Sequence, residues 1–355
     1  MKKLVIKIGS SFFINKNEIN RDNIRALAEQ ISIIKQKGIA CCLISSGAIA
    51  VGVKKMGLKN KPTNIAKKQA CAAIGQMSLM QEYEQIFDNY NIKCAQILLN
   101  HDDFGNRNRI TSLQQTMETL LQMGVVPVVN ENDALAVEEI KVGDNDTLSA
   151  MTSLVIGADL LVLVSDIDGL FTSNPKTDSQ AKKIDIVHKI DDSIKEMAGG
   201  AGSSFGTGGM CTKIRAGEIT TNANIPMMIV NKNKINQLSC IADGENLGTL
   251  FKASSSLTIR ESWIKYCANV KGKLIIDNGA SLALNNRKSL LAVGIKQVEG
   301  SFKHGEVVEI CLENKTIIAK GISLFDNMQI KKFIDKEHVK NQVVVHANDL
   351  VINGD

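Results

Sequence analysis

The stretch that decides the fold is VVPVVNENDALAVEEIKVGDNDTLSAMTSL, which occupies residues 125–154. It begins with a short apolar run, Val125–Val129, whose length and β-branched composition are typical of a buried strand. Two clusters of amide and carboxylate side chains follow, at residues 130–133 and 144–146, and the second precedes an apolar helical pattern. One polar residue is enough to cap such a helix. The surplus of polar groups after a buried strand therefore indicates a ligand site.

The same order of apolar run, polar loop and helical pattern recurs through the first 250 residues. Apolar residues at helical spacing lie between residues 24 and 34, before Gly38, and between residues 110 and 121, before Gly124. Strands that are apolar on both faces and alternate with helices predict a mostly parallel sheet covered on both sides, an α/β three-layer sandwich. Ligands bind such sheets where the carboxyl ends of the strands open into loops. The predicted strands are residues 4–8, 39–44, 94–99, 125–129, 160–164 and 227–230.

The pattern changes after about residue 268. Short strand-like runs separated by glycines, as in GEVVEICLENKTIIAKGIS, predict a small mainly-β domain with the form of a compact barrel. We therefore expect an α/β domain over residues 1–255, a linker over 256–271 and the mainly-β domain over 272–355.

Composition excludes several classes of protein. The 355 residues include 44% hydrophobic and 22% charged residues, with a formal net charge of +5, which is typical of a globular enzyme and too weak for a nucleic-acid footprint. Eight cysteines without a C-x-x-C pair and five scattered histidines do not form a zinc pattern. No uncharged run reaches the roughly 18 apolar residues of a membrane span. The sequence predicts a cytoplasmic protein that does not bind membranes.

Two loops that follow predicted strands carry small and polar residues. In VIKIGSS, residues 5–11, an ammonium group at Lys7 lies among apolar residues, where burial without a partner would be costly. An edge strand with Lys7 in water explains the pattern as well. In LISSGAIAVG, residues 43–52, the hydroxyl and N–H groups of Ser45–Gly47 can bind a carboxylate or a phosphate. A simple helix entry is the alternative there.

A glycine-rich loop lies at residues 199–213, GGAGSSFGTGGMCTK, and a helical pattern follows it. Such a loop can cradle a phosphate, and a bound phosphate would balance a cation at Lys213 near the positive end of the helix dipole. A flexible solvent loop with an ordinary lysine is the alternative. The sequence contains no P-loop, no G-x-G-x-x-G dinucleotide motif and no protein-kinase catalytic loop.

Together these segments resemble the amino acid kinase family. The resemblance rests on VIKIGSS, SSGAIAVG, VVPVVNENDALAVEEIKVGDNDTLSA, SDIDGLFT and FGTGGMCTK, which occur in the order of the family. The C-terminal segments GIKQVEGSFKHGEVVEI and AKGIS are similar to a PUA domain. The resemblance covers nearly the whole chain and implies the amino acid kinase fold followed by a PUA-like barrel. NRNRITSLQQT departs from the expected pattern, which leaves a substrate role of Arg107 and Arg109 open.

The resemblance also implies roles for individual residues. Lys7 and Lys213 would flank the transferred phosphoryl group, and Asp146 would orient the lysines or the metal ion. Ser46, Asp133 and Asn145 would bind the amino acid. The residues implied in ATP binding are Lys7, Ser165, Asp166, Thr207, Gly208, Gly209, Met210, Cys211, Thr212 and Lys213.

Within the family, the motifs are most similar to those of the kinases that phosphorylate the γ-carboxylate of L-glutamate with ATP and Mg²⁺, the first step of proline biosynthesis. The resemblance implies a magnesium ion held mainly by the ATP phosphates, inhibition by proline, a homo-oligomer and transfer of the product to glutamate-5-semialdehyde dehydrogenase. A kinase of aspartate or N-acetylglutamate is an alternative that would differ at Asp133 and Asn145. RNA binding by the C-terminal domain is a second alternative, and the net charge of only +2 over residues 271–355 argues against it.

Overall fold

The computed structural model describes residues 1–15, 18–135, 145–175, 177–199, 209–254, 257–334 and 341–353. The chain forms two compact units. The first comprises Met1–Asp103 and Thr111–Ser255, and the second comprises Phe104–Ile110 and Ser256–Asp355. None of the helices in the described ranges combines the length and the apolar character that a membrane crossing requires.

The first unit is an α/β fold around an eight-stranded sheet. The strands of this sheet are β1 (Lys3–Ile8), β4 (Ala40–Ile44), β5 (Cys94–Leu99), β6 (Val126–Glu131), β7 (Leu160–Ser165), β10 (Ile186–Val187), β11 (Met227–Asn231) and β12 (Thr249–Phe251). Two small hairpins lie outside the sheet: β2 (Ile14–Asn15) pairs with β3 (Glu18–Ile19), and β8 (Leu170–Phe171) pairs with β9 (Lys183–Ile184). The helices that begin in this unit are α1 (Ser10–Phe13), α2 (Arg21–Gln36), α3 (Ala48–Lys55), α4 (Ile65–Asp88), α5 (His101–Gly105), α7 (Asn145–Ile156), α8 (Asp192–Met197) and α9 (Met210–Asn222), with a 3₁₀-helical segment at Lys232–Asp243. Helix α6 (Arg107–Gln122) begins within the second unit and ends within the first.

The sheet is mostly parallel, as the sequence predicts. Its strand order is β10-β12-β11-β7-β1-β4-β6-β5, and only the β11–β12 pair is antiparallel. All six strands predicted from the sequence are present. Strand β12 was not predicted, because a three-residue strand leaves no recognisable periodicity.

Strand β1 lies in the middle of the sheet. It pairs with β4 on one side and β7 on the other, with Leu4, Ile6 and Ile8 fully buried. Burial on both faces explains its continuous apolar composition. The interpretation of Lys7 as a residue on a solvated edge strand is therefore wrong. The parallel register also brings the carboxyl ends of the five central strands to one edge of the sheet.

Helix α7 is almost entirely buried, which is unusual for a helix that starts with two polar side chains. Every residue from Asp146 to Ile156 is buried. The helix carries serine and threonine on its buried faces, and their hydroxyls donate to carbonyls in the preceding turn, including Ser149 Oγ to Asp146 O at 2.6 Å and Ser153 Oγ to Ser149 O at 2.7 Å. Because these groups satisfy one another locally, the helix can cross the interior without unpaired hydroxyls.

Helices α3 and α4 cross at two glycines. A Cβ atom at Gly75 would lie 1.8 Å from Ala48 O, and one at Gly52 would lie 1.8 Å from Cys71 O. The backbones therefore approach more closely than any other residue would permit. This crossing fixes α3, and with it the loop Ser45–Gly47 that immediately precedes the helix.

The second unit has the small mainly-β fold that the sequence predicts, and its curled sheet forms a half-barrel. Its six-stranded sheet has the order β14-β18-β17-β16-β13-β15 around a core that includes Leu274, Val308 and Ile310. The strands are β13 (Val270–Ile276), β14 (Leu290–Leu291), β15 (Ile295–Gly300), β16 (Val307–Leu312), β17 (Ile317–Ser323) and β18 (Val343–Ile352). The helices are α10 (Ile259–Tyr266), α11 (Asn278–Asn285) and α12 (Asn327–Ile334), with a 3₁₀ turn at Ala292–Gly294.

The segment predicted as a linker, residues 256–271, contains helix α10. Thr258 and Glu261 form a capping box at its start, and Ile264 packs in a cluster with Val307, Ile322 and Val351 of the same unit. Helix α11, which was not predicted, is capped by Asp277, whose carboxylate accepts from Ala280 N at 2.8 Å. The exact domain boundaries remain a proposal.

The α3–α4 crossing gives a stability prediction. We expect Gly75→Ala to lower the free energy of unfolding by at least the ~1–3 kcal/mol typical of an overpacked core, because the added methyl group would meet a carbonyl oxygen of the other helix. Thermal or urea unfolding measures the change. Gly279→Ala in α11 is the matched control, since its added Cβ has Asp277 Oδ1 at 3.4 Å as its nearest neighbour. Equal stability of Gly75→Ala and the wild type would contradict the close crossing.

Candidate active site

Lys7 is a buried cation on the central strand of the sheet. Its residue is 8% exposed, and its Nζ atom donates to Asp146 Oδ1 at 2.5 Å. The partner is 139 positions away in the chain and lies in the first turn of α7. The structure therefore provides the counter-charge that a buried Lys7 requires.

Lys213 is a second buried cation, and it binds the same carboxylate. Its residue is 4% exposed, and its Nζ atom lies 2.9 Å from Asp146 Oδ2. The interpretation of Lys213 as an ordinary lysine in a solvent loop is therefore wrong. Thr212, one residue earlier in α9, also donates to Asp146 Oδ2, at 2.8 Å.

Asp146 is thus the centre of a charged cluster that we call the lysine pair site: Lys7, Asp146 and Lys213. Burial alone would raise the pKa of Asp146, but the two ammonium groups and their hydrogen bonds outweigh burial and hold its pKa below the usual value. Both carboxylate oxygens are engaged with donors from other elements. Two cations and one anion leave an excess of one positive charge in a buried site, and this excess favours an anionic ligand.

The second polar cluster of the site is made of neutral groups. Asn145, next to Asp146, has its Nδ2 atom 2.7 Å from Ser45 O, 2.7 Å from Ser46 Oγ and 3.1 Å from Asn130 Oδ1. These contacts join the carboxyl ends of β4 and β6 to the start of α7. Gly47 adopts a left-handed conformation, with φ of 95°, at the entry to α3. The structure therefore brings together two of the three residues predicted to bind the amino acid, Ser46 and Asn145.

Asp133, the third of these residues, lies just beyond the end of β6. It lines a cavity of about 780 Å³ together with Gln76, Gln96 and Glu131. The cavity also reaches Ala48, at the first turn of α3. Its lining is mostly apolar, with side chains such as Met77, Met80 and Leu98, and its amide and carboxylate groups are suited to a cationic or zwitterionic small molecule.

The residues predicted to bind ATP lie on two neighbouring elements. Ser165 ends β7 and donates to Asp166 Oδ1 at 3.2 Å, while Asp166 is exposed. Gly209 caps α9, and Met210, Cys211 and Thr212 form its first turn. Thr207 and Gly208 lie outside the described residues. Arg107 and Arg109 are exposed in the first turn of α6.

The sequence assigned no individual role to several further residues of this edge of the sheet, although Asn130 lies in the predicted polar cluster at residues 130–133. Asn130 is 1% exposed and joins Asn145 to Gln76. Asn231, the last residue of β11, donates to Asp168 Oδ1 at 2.9 Å, and Asp168 follows the end of β7. The position of Asn130 at the end of a predicted strand was the available signal. Gln76 gave none, because a single glutamine within a long helix resembles a surface residue.

Comparisons with known proteins agree with this architecture. The model of the amino acid kinase family matches residues 2–231, and that of the PUA domain matches residues 272–345. The chain belongs to the amino acid kinase family. The family consists of phosphotransferases, and the chain is therefore a kinase with a C-terminal PUA domain.

Curated members of the amino acid kinase family match the chain over nearly its full length. A glutamate 5-kinase of Carboxydothermus hydrogenoformans is 41% identical over 364 residues, which cover 99% of this chain and 98% of that protein. A glutamate 5-kinase of Syntrophotalea carbinolica is 39% identical over 363 residues, covering 99% and 97% respectively.

Solved structures support the fold. The carbamate kinase of Giardia lamblia bound to AMP-PNP is 17% identical with a TM-score of 0.52, and the match covers 71% of this chain and 99% of that one. An isopentenyl phosphate kinase is 18% identical with a TM-score of 0.50, covering 70% of this chain and 100% of that one.

The lysine pair site gives a prediction on stability and pH. Replacing Asp146 by asparagine leaves two buried ammonium groups without a counter-charge. We therefore expect this variant to have a free energy of unfolding about 3–5 kcal/mol below that of the wild type at pH 7. A carboxylate whose pKa is lowered on folding stabilises the protein above its unfolded pKa, and this stabilisation disappears as the pH falls through the folded pKa. The difference in free energy of unfolding between the wild type and Asp146→Asn should therefore become smaller below about pH 4.

Urea unfolding at several pH values measures this difference. Asp22→Asn is the control, because Asp22 forms an exposed i,i+3 pair with Arg25 on α2 and should change stability little at any pH. If the difference in free energy of unfolding between the wild type and Asp146→Asn stayed constant from pH 7 to pH 3, the charge of Asp146 would not be what stabilises the fold.

Proposed function

We propose that this kinase transfers the γ-phosphoryl group of ATP to the γ-carboxylate of L-glutamate, giving L-glutamyl 5-phosphate and ADP, the first step of proline biosynthesis. The observation that carries the proposal is the convergence of Lys7 and Lys213, from distant parts of the chain, on the buried carboxylate of Asp146. The identity of 39–41% over nearly the full length to proteins named glutamate 5-kinase supports the choice of substrate.

The chemistry of this reaction matches a site built from cations and amides. The γ-carboxylate of glutamate is ionised near neutral pH and needs no general base. The rate then depends on alignment of the two substrates and on neutralisation of charge on the phosphoryl oxygens. Lys7 and Lys213 supply this neutralisation. Asp146, engaged on both oxygens, holds their ammonium groups in place.

The amino acid binds at Ser46, Asp133 and Asn145. Asp133 provides the negative charge that pairs with the ammonium group of glutamate, and Ser46 and Asn145 provide directional hydrogen bonds. Ser46 follows β4, Asp133 follows β6 and Asn145 begins α7. Glutamate bound by these residues directs its γ-carboxylate towards the lysine pair site, which lies at the same edge of the sheet.

ATP binds beyond the ends of β7 and β11 and at the start of α9. Ser165 and Asp166 contact the nucleoside, and residues 207–213 contact the phosphates, where Gly209 permits close approach and α9 offers the positive end of its dipole. Of these residues, Thr207 and Gly208 lie outside the described ranges.

A magnesium ion would neutralise the phosphate oxygens of ATP when bound. The described residues contain no group of three or more carboxylate, histidine or cysteine side chains arranged to hold a metal ion. Both oxygens of Asp146 already accept hydrogen bonds, so Asp146 fits the role of orienting the lysines. An ion held mainly by the ATP phosphates remains our proposal.

Four further properties belong to the same proposal and rest on the resemblance to glutamate kinases. We propose that proline inhibits the enzyme, that the chain forms a homo-oligomer and that it acts in the cytoplasm. The acyl phosphate product is labile, and we propose that it passes to glutamate-5-semialdehyde dehydrogenase.

The lysines provide a direct test of the mechanism. We expect Lys7→Ala and Lys213→Ala to fold, because Asp146 keeps one lysine partner in each variant, and to lose about 10²–10³-fold in kcat, the usual cost of removing one preorganised charge-stabilising donor. Coupled ADP release measures the rate. Lys67→Ala, an exposed lysine on α4, is the control and should retain the wild-type rate. Near-normal turnover of either site variant would remove that lysine from the mechanism.

The substrate is tested by trapping the acyl phosphate. With ATP, Mg²⁺, hydroxylamine and L-glutamate we expect formation of γ-glutamyl hydroxamate, and with added proline we expect less of it. Aspartate and N-acetylglutamate should give little product. Efficient hydroxamate formation from either of these and not from glutamate would assign the chain to a different acyl-phosphate kinase. Product formation that does not respond to proline would contradict only the proposed inhibition.

A further inference from the structure

Four side-chain amides form a continuous hydrogen-bonded chain that leads away from the lysine pair site, and we call it the amide chain. Asn145 Nδ2 donates to Asn130 Oδ1 at 3.1 Å, Asn130 Nδ2 donates to Gln76 Oε1 at 2.9 Å, and Gln76 Nε2 donates to Gln96 Oε1 at 3.1 Å. The four residues come from α7, β6, α4 and β5. Asn130 and Gln76 are buried, with exposures of 1% and 8%, and Gln96 is exposed.

Two backbone groups fix the direction of the chain. Asn145 lies 2.7 Å from the carbonyl oxygen of Ser45, which can only accept, so the nitrogen of its amide must face Ser45. Asn130 accepts from the N–H group of Glu131 at 2.9 Å, which can only donate, so its oxygen must face that group. The orientation of Gln76 follows, because its oxygen must accept from Asn130.

The direction of the amide chain determines which group of the substrate Asn145 can bind. With its nitrogen committed to Ser45, Ser46 and Asn130, Asn145 has its Oδ1 atom left as an acceptor, and no residue in the described ranges donates to it. At neutral pH the only N–H donors of free glutamate are those of its ammonium group. The carbonyl oxygen of Asn145 is therefore suited to the ammonium group and not to either carboxylate.

We propose that Gln76 is a positioning residue, which acts through Asn130 to maintain one of the three contacts that keep the Asn145 oxygen directed at the ammonium group of the amino acid. This inference rests on the function proposed above. Gln76 lies on α4, and the hydrogen bond it accepts satisfies the buried Nδ2 group of Asn130. Without that acceptor, Asn130 has a buried donor without a partner, and rotation to relieve it would withdraw Asn130 Oδ1 from Asn145.

The test compares three variants by steady-state kinetics. Gln76→Met has a similar length and can neither accept nor donate strongly, and we expect KM for glutamate to rise about tenfold with KM for ATP unchanged. Gln76→Glu retains an acceptor for Asn130 and should restore a KM for glutamate near that of the wild type. Gln30→Met is the matched control, because Gln30 is also buried, at 5% exposure, and accepts a hydrogen bond from Ser239 N in the 3₁₀-helical segment Lys232–Asp243, outside the amide chain. It should leave both KM values unchanged.

A second measurement separates positioning from a structural effect. Glutarate has both carboxylates of glutamate and no ammonium group, so its inhibition constant should be the same in wild type and Gln76→Met. If Gln76→Met does not fold, Gln76→Ala replaces it, because Gln76 lines the 780 Å³ cavity and solvent can fill the space of a shorter side chain. The expected rise in KM for glutamate is then at least about threefold.

The outcomes distinguish the two proposals. Unchanged KM for glutamate in the folded Gln76 variant, or an equal rise in both KM values or in the glutarate constant, would overturn the positioning role alone. A wild-type protein without glutamate-dependent ADP release would overturn the proposed function, and this inference with it.

Discussion

The structure depends on one arrangement, the burial of two ammonium groups against a single carboxylate. Lys7, Asp146 and Lys213 are each less than one-tenth exposed, and removing such charges from water is costly unless their hydrogen bonds are nearly ideal. The required geometry comes from three elements that are distant in sequence, β1, α7 and α9. Only the shared edge of a parallel sheet brings them together. In the proposed function, a bound phosphate would compensate the remaining positive charge of the lysine pair site.

Helix α7 shows how the protein meets this requirement. The helix must place Asn145 and Asp146 at the edge of the sheet while its remaining residues fill the interior. A helix of large apolar residues would pack well but would leave little room for α9, which packs against it. Ser149, Thr152 and Ser153 are smaller, and their hydroxyls bond to carbonyls of the preceding turn, so they can be buried without unpaired polar groups. The same helix therefore fills the core and places the carboxylate of Asp146 between Lys7 and Lys213.

The sequence predicted the sheet well because buried parallel strands have a strong local pattern, as in Leu4–Ile8 and Leu160–Val164. It could not decide whether Lys7 is buried, since the partner lies 139 residues away and no local pattern records such a contact. The resemblance to a family identified Asp146 and Lys213, and the structure supplied their contacts. Gln76 was missed for a related reason: its significance depends on two neighbours from β5 and β6 that only the folded chain provides. The same limit applies to α10, which lies in the segment predicted as a linker: its one or two amphipathic turns are visible in the sequence, but the cluster that they pack against is not.

The site thus has a charged half and a neutral half, and electrostatics explains the division. Close to two ammonium groups, an additional carboxylate would be attracted to the lysines and would compete with Asp146 for them. An amide carries no net charge, so Asn145 can lie next to Asp146 in the chain without disturbing the lysine pair site. Amides also have distinct donor and acceptor ends, and a row of them transmits a preferred direction from a fixed backbone group. In the proposed function, the charged half would neutralise the phosphoryl group, and the amide half would orient the amino acid and so select which of its two carboxylates reacts.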